Sequence, residues 1–397
     1  MDLFFIPAWP LAAGGLPWFA VLLLAALLAG EWLRIRLGLP RLLGWTACGF
    51  AAGAAGLDAS TIPGVRSLLD VAVGMVLFEL GQRVDYGWLR RNPWLLATSF
   101  AESALGFAAA LGILLLLGTP PLLAATAAAI GIATSPAVAL TLARDLRAQG
   151  QVTERMLMLT ALNCTYAFLA ASMLLAWQHS EYRGDWRVTL AHPLYLIGVS
   201  LLVAAAFAQA TLALLGRLAR RADAQAVCVV AMVVTAVGTA ELLRGSVTLA
   251  LLAFGAFARA WDEDRRFVAL DSGRIGQIAV ILLVTLTAAM LEFRVLWIAA
   301  PAGAALLAAR WAGKALGLFL FARPSGLPLR KASLLALTLM PMSGVSMVIA
   351  HDTARLFPEL GAFLAAIVLA ATALLELLGP LAAHFALVRA REAAPDA

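Results

Sequence analysis

Two apolar segments of this 397-residue chain interrupt themselves near their middles, and this pair of breaks constrains the fold more than any other feature. The first is Thr134-Ser135-Pro136 within 121–143. The second is Met340-Pro341-Met342-Ser343-Gly344 within 332–350. Proline has no amide proton, and its ring clashes with the preceding turn, so a helix kinks or unwinds there. In lipid, a backbone group freed in this way must be buried in protein or line a wet cavity. Pro136, Pro341, Ser343 and Gly344 are therefore read as helix breaks inside spans. One break alone would be an ordinary proline kink, and the argument turns on there being two at matching places.

The solvent of this chain is lipid. It is 63% hydrophobic and 13% charged, with a mean hydropathy of +0.92, whereas a soluble domain carries about 25% charged residues. A spanning helix needs about 20 mainly apolar residues. Thirteen candidates follow, at 17–33, 40–55, 67–83, 94–117, 121–143, 155–177, 193–216, 225–243, 245–259, 274–291, 295–321, 332–350 and 360–387. The expected class is all-α, a polytopic membrane protein of about 13 transmembrane helices. No cleavable signal is expected, because the first apolar helix leads directly into the bundle.

A net charge of +6 raises the question of nucleic acid, and the distribution of the charge answers it. With the N-terminus outside, the loops expected in the cytoplasm and the tail hold 21 of the 29 Lys and Arg residues. The outer loops hold 6, and Arg310 and Lys314 lie within a span. This is the positive-inside pattern. It predicts an N-out, C-in topology and no nucleic-acid partner. Cys48, Cys164 and Cys228 all fall in apolar spans without metal-ligand spacing, so neither a disulfide nor a zinc site is expected.

The chain reads as a single membrane domain over 1–397, with no soluble regulatory domain, nucleotide loop or low-complexity linker. Thirteen spans divide into a first repeat at 17–177, a linker helix at 193–216 and a second repeat at 225–387. An odd linker gives the two six-helix halves opposite orientations. The interrupted spans 5 and 12 then occupy the fifth place of each half. Interrupted helices at corresponding positions of inverted repeats point to the ion site of a secondary transporter. No cofactor is expected. His179, His192, His351 and His384 do not cluster and no nucleophile–base pair stands out, so an enzyme is not expected.

Ionisable residues inside spans are costly and are functional candidates by default. Glu79, Glu102, Glu241, Arg310, Lys314 and Glu376 qualify. Glu241 is discounted because it can reach the outer interface beside Arg244, and Lys314 because it can snorkel. Arg310 stays charged and must find a carboxylate, exposed carbonyls or water. A permanent structural pair with Glu102 or Glu376 and a direct role at an ion site both remain open for it. Glu79 has Arg83 one turn away, which gives a plain i,i+4 pair. The small Gly81 beside it allows close helix approach, which favours an ion-pathway role. Glu376 reads as a structural pair rather than a ligand. Asn163-Cys164-Thr165 at the middle of the sixth span is interhelical glue if taken alone. Beside the break, Thr134, Ser135 and Asn163 become oxygen ligands for sodium or potassium, with Cys164 a poor substitute ligand.

Taken in order, these fragments resemble the monovalent cation:proton antiporter superfamily, the sodium/hydrogen exchangers and Kef-like exchangers. The resemblance rests on Gly38-Leu39-Pro40-Arg41-Leu42-Leu43-Gly44, Leu77-Phe78-Glu79-Leu80-Gly81 and Ala133-Thr134-Ser135-Pro136-Ala137-Val138. It continues through Asn163-Cys164, Arg310 and Met340-Pro341-Met342-Ser343-Gly344-Val345-Ser346. It implies a core bundle that moves against a dimerisation domain, two unwound helices crossing at the ion site, and a homodimer. It also implies a monovalent cation and a proton as partners. Relatives carry an aspartate at the position of Cys164, and often a second one at that of Ser135. Glu79 matches a glutamate near the ion in some relatives, and Arg310 matches the basic residue of the core.

The missing carboxylates matter, because exchange needs a group whose charged form binds the cation and whose neutral form carries the proton. Glu79 is the better titrating candidate. The expected function is sodium or potassium exchange for protons by alternating access in a bacterial inner membrane. An anion or organic-acid transporter on the same fold and a transport-inactive scaffold or sensor are the alternatives.

Overall fold

The computed structural model describes residues 16–56, 64–183, 186–218, 222–262, 272–290, 293–342 and 358–394. Its described elements are helices α1 (Leu16–Leu37), α2 (Arg41–Ala54), α3 (Val65–Gly81), α4 (Tyr86–Arg91) and α5 (Pro93–Leu116). They continue with α6 (Pro121–Gly131), α7 (Pro136–Asp145), α8 (Gln151–Arg183), α9 (Trp186–Arg217) and α10 (Ala222–Leu242). The remainder are α11 (Val247–Trp261), α12 (Ser272–Ala289), α13 (Phe293–Ala322), α14 (Leu329–Thr338) and α15 (Pro358–Arg389). The fold is thus the helical, polytopic one expected, and seven of the helices are long and apolar enough to cross a membrane unaided. Each expected span falls on a helix, the fifth on two, α6 and α7. Of the twelfth, α14 is described, whereas Ser343, Gly344 and the rest of 343–350 lie outside the described residues. Helix α4 was not expected; it is six residues long and buries none of them.

The sequence starts its helices in recognisable ways. Asn92 accepts a hydrogen bond from the Leu95 amide and Pro93 takes the first position of α5. Ser246 caps α11 through the Leu249 amide. A polar cap followed by proline is a favoured helix start, because that proline lacks only an amide that would have been unpaired there. The same chemistry explains the first break. Ser135 accepts from the Val138 amide and Pro136 opens α7. Pro136 therefore starts a new helix rather than kinking an old one, and residues 132–135 between α6 and α7 are not helical.

Packing sorts the helices into two sets. One is built on α1, α2, α3 and α9 to α12, the other on α5, α6, α8 and α13 to α15, and α7, α8 and α15 touch both. Within the first set, α3 and α11 meet through reciprocal glycines. A methyl group at Gly81 would run into the Leu252 carbonyl, and one at Gly255 into that of Phe78. In lipid, such close backbone approach replaces the missing hydrophobic drive between helices.

The charged ends gather at one end of the bundle. Arg41 at the start of α2 pairs with Glu31 at 3.1 Å and with Asp145 at the end of α7 at 3.7 Å. Arg155 near the start of α8 donates to the Ser325 carbonyl at 2.6 Å. Beyond α15, Glu392 accepts from the amides of Val152 and Thr153 at 3.0 and 2.8 Å and from Lys331 at 3.2 Å. The segments that the arginine distribution assigns to the cytoplasm therefore meet one another.

Candidate ion site at the crossed breaks

The two breaks touch through their backbones. The Ser135 amide donates to the Pro341 carbonyl at 3.1 Å, and Thr134 and Met342 form an antiparallel bridge. Each proline helps by ending or starting a helix and leaving neighbouring amides and carbonyls without intrahelical partners. The unwound stretches then satisfy part of each other's need. The second break meets α15, where a methyl group on Gly379 would lie 2.9 Å from the Pro341 Cα.

Helices α6 and α14 both end at this crossing, so two sets of unpaired carbonyls, each with partial negative charge, point at one place. Arg310 of α13 answers both. It donates through Nε to Gly131, through Nη2 to Ala133 at 2.9 Å and Leu339 at 3.5 Å, and through Nη1 to Met340 at 2.8 Å. Only 1% of the residue is exposed. The planar fork of guanidinium suits this task, and an ammonium could not reach both ends at once. Of the carboxylate, carbonyls or water open to it, Arg310 takes carbonyls, and it makes no pair with Glu102 or Glu376 among the described residues.

Glu102 instead pairs with Lys314, Nζ to Oε2 at 2.7 Å, and both side chains are essentially inaccessible. Lys314 does not snorkel, because its stem packs on Gly106 of α5 and its head is held inside. Next to Glu102, Ser103 donates to Asn163 Oδ1 at 2.8 Å, and Asn163 Nδ2 donates to Thr134 Oγ1 at 3.0 Å. Cys164 Sγ lies 3.4 Å from the Thr134 carbonyl and donates to it. The thiol thus satisfies a backbone acceptor of the first break. Of the expected site residues, the structure brings together Thr134, Ser135, Asn163, Cys164, Arg310, Pro136 and Pro341.

Glu79 is not among them. It forms an ion pair with Arg144 of α7 rather than with Arg83. Arg144 is eight residues beyond Pro136 along α7, roughly 12 Å from the crossing at helical rise. The i,i+4 argument failed because a charge on a neighbouring helix end lay closer than the one on its own. Glu241 is exposed at the end of α10, as its place beside Arg244 suggested.

On the other side of the crossing lies a cavity lined by Ser135, Met342, Thr46, Thr287, Glu376 and Pro380, with apolar residues of α2, α7 and α12. Glu376 Oε1 is 3.2 Å from Thr287 Oγ1. Its Oε2 and the Thr46 hydroxyl have no hydrogen-bond partner among the described residues. The expected structural ion pair for Glu376 is therefore absent among them. Three participants were missed in the sequence: Ser103, Thr46 and Thr287. Ser103 carried a signal, as the neighbour of Glu102 in an otherwise apolar span. The two threonines carried none, because threonine is common in membrane helices.

The family model for the transmembrane part of sodium/hydrogen exchangers matches residues 19–384. No curated sequence matches the chain. Among solved structures, the fold is similar to the sodium proton antiporter MjNhaP1 from Methanocaldococcus jannaschii. Its structure at pH 8 superposes with a TM-score of 0.67 at 15% identity, covering 94% of each chain. An electron-microscopy structure of the same antiporter gives 0.70 at 16% identity, covering 95% of this chain and 98% of the other.

Proposed function

Because the chain belongs to the sodium/hydrogen exchanger family, we propose that it is a secondary active transporter exchanging sodium or potassium for protons by alternating access. The observation that carries this reading is the crossing itself. Two helix ends meet one buried arginine, and the unwound stretches beside them pair through Thr134, which Asn163 hydrogen-bonds. Ser135 supplies a neutral oxygen of the kind a hard monovalent cation prefers, and Thr134 and Asn163, hydrogen-bonded to each other, hold the break beside it. Arg310 holds the two ends in register and offsets their carbonyl dipoles. The two helix sets supply the moving parts, with the breaks on one set and α2 and α12 on the other. The protein works in a bacterial inner membrane as a homodimer, N-terminus outside and C-terminus in the cytoplasm. The end of the bundle that gathers Arg41, Arg144, Arg155 and Lys331 faces inward.

An anion would need a cation left free for it. Arg310 spends its donors on carbonyls, and Lys314 is matched by Glu102. The test is flux in proteoliposomes with an imposed pH gradient, comparing sodium, potassium and chloride. Sodium or potassium should collapse the gradient and exchange of chloride for gluconate should change nothing. Gradient collapse that follows chloride would turn the reading to an anion carrier, and no flux of any ion would turn it to a scaffold.

A further inference from the structure

We propose that the exchangeable proton and cation are bound by Glu376, in the cavity on the Ser135 side of the crossed breaks, and not at position 164. This rests on the exchanger reading above and names the group that couples the two fluxes.

Such a group must be a carboxyl, able to turn from neutral to charged where the cation arrives. Cys164 is committed to the Thr134 carbonyl. Glu79 and Glu102 are committed to Arg144 and Lys314. Glu376 makes no ion pair among the described residues, and one of its oxygens has no partner there at all. The charged side chains on the elements around it are engaged elsewhere. Arg41 of α2 pairs with Glu31 and Asp145, Arg144 of α7 with Glu79, and Arg310 of α13 with carbonyls. Lys314 of α13 pairs with Glu102, and Lys331 of α14 with Glu392. An unpaired carboxylate in a membrane interior is costly, whereas a neutral carboxyl or one holding a cation is not.

The hydrogen bonds fit a neutral Glu376. The Thr287 hydroxyl has one proton and three acceptors in range: Leu283 O at 2.7 Å, Val284 O at 3.2 Å and Glu376 Oε1 at 3.2 Å. The shortest of these, to Leu283, takes the proton. Thr287 then meets Glu376 through a lone pair, which a neutral carboxyl answers with its own proton; when Glu376 is charged, the hydroxyl can turn and donate to Oε1 instead. When that proton leaves, the carboxylate and the hydroxyls of Thr46, Thr287 and Ser135 become an all-oxygen set around the cavity. A single carboxylate with neutral hydroxyls suits a monovalent cation. The balance is simple: one proton leaves the carboxyl oxygen for water at the cavity, and one cation replaces its charge.

The position also explains how binding would reach the moving parts. Glu376, Ser135 and Met342 belong to the set that carries the breaks, while Thr46 and Thr287 belong to the other. The Glu376–Thr287 hydrogen bond crosses that boundary, so losing the proton changes a contact between the two sets just as a cation can bridge them.

The test uses the full chain in proteoliposomes, with sodium-driven proton movement read by an entrapped pH dye. Glu376→Gln should lower coupled flux by about 100-fold or more, the range of a lost proton-transfer group, while eluting from size exclusion like the unmodified protein. Glu376→Asp should retain exchange with a displaced pH–rate profile. Should Glu376→Gln fail to fold, Thr46→Val and Thr287→Val carry the test. Each should raise the sodium KM several-fold with a smaller change in kcat, and an unchanged KM in both would overturn the proposal. Wild-type flux in Glu376→Gln would overturn it while leaving the exchanger reading standing. No cation-driven proton movement in the unmodified chain would overturn both.

Discussion

On the side of the crossing that faces α5, α8 and α13, the groups at the breaks and the charged groups are spent on one another, while Ser99, Thr160 and one Glu102 oxygen stay without a hydrogen-bond partner among the described residues. Thr134 receives Asn163, Cys164 serves a carbonyl, Arg310 holds two helix ends and Lys314 holds Glu102. On the side that faces α2 and α12, a carboxyl and a threonine hydroxyl stand in a cavity with unfilled hydrogen-bonding capacity. The first side resembles the interior of a folded protein, where polar groups are retained only when paired. The second resembles a binding site, where the missing partner is the ligand. Substitutions should separate the two, with closed-side changes lowering stability more than coupling and open-side changes the reverse.

Arg310→Ala should have the largest effect on stability. It strips three short charge-assisted bonds from buried carbonyls, each worth about 1.5–3 kcal/mol, so a loss of about 5 kcal/mol is expected. Thermal unfolding in detergent measures it. Arg310→Lys should recover only part, because a point charge cannot serve both helix ends. A variant with alanine that unfolds like the unmodified protein would break the closed-side description.

The Glu102–Lys314 pair comes next. Removing one partner leaves a buried charge unmatched, at about 3–5 kcal/mol, whereas replacing both with apolar residues of similar volume is near neutral. Lys314→Met should therefore be much less stable than the double variant Lys314→Met with Glu102→Leu. If the double variant is as unstable as the single, the pair does more than hold helices together.

A smaller change is expected at Cys164. Alanine there leaves the Thr134 carbonyl without its thiol donor, which costs about 1 kcal/mol, while serine keeps a donor and should lie closer to the unmodified protein. Equal stability of Cys164→Ala and Cys164→Ser would show that the contact carries nothing.

The smallest effect lies remote from both sides and depends on pH. Burial opposes charge on Glu392, but the Val152 and Thr153 amides, the Thr153 hydroxyl and Lys331 together hold its carboxyl below its ordinary value of 4.5. A carboxyl depressed in the folded state adds stability above its unfolded pKa and loses it as pH falls through the folded one. Glu392→Gln should therefore be slightly less stable than the unmodified protein at neutral pH. The gap should narrow as pH falls below 4.5 and close only once pH lies below the depressed folded value, where both states are neutral. A gap that persists at low pH would show that shape rather than charge joins the tail to α8.

Much of this was readable in advance. The two breaks, the polar Asn163-Cys164 and the buried Arg310 stand out because lipid excludes such groups, so each must have a reason to be there. The partners were not readable. Glu79 met Arg144 rather than Arg83, and Arg310 took the carbonyls among the three kinds of partner open to it. Lys314 turned inward, although a long stem near a helix middle fits snorkelling equally well.

The sequence alone determined that this chain lives in lipid, how its loops are charged, and where two of its helices must break. These follow from composition and from proline's missing amide, which are local properties. The tertiary structure decided which face of each helix looks inward. On a helix that is apolar all round, the pattern that marks a core-facing side in water is absent, because lipid and protein interior are equally apolar. Only packing could turn Glu376 toward Ser135 and a cavity, and Lys314 toward Glu102.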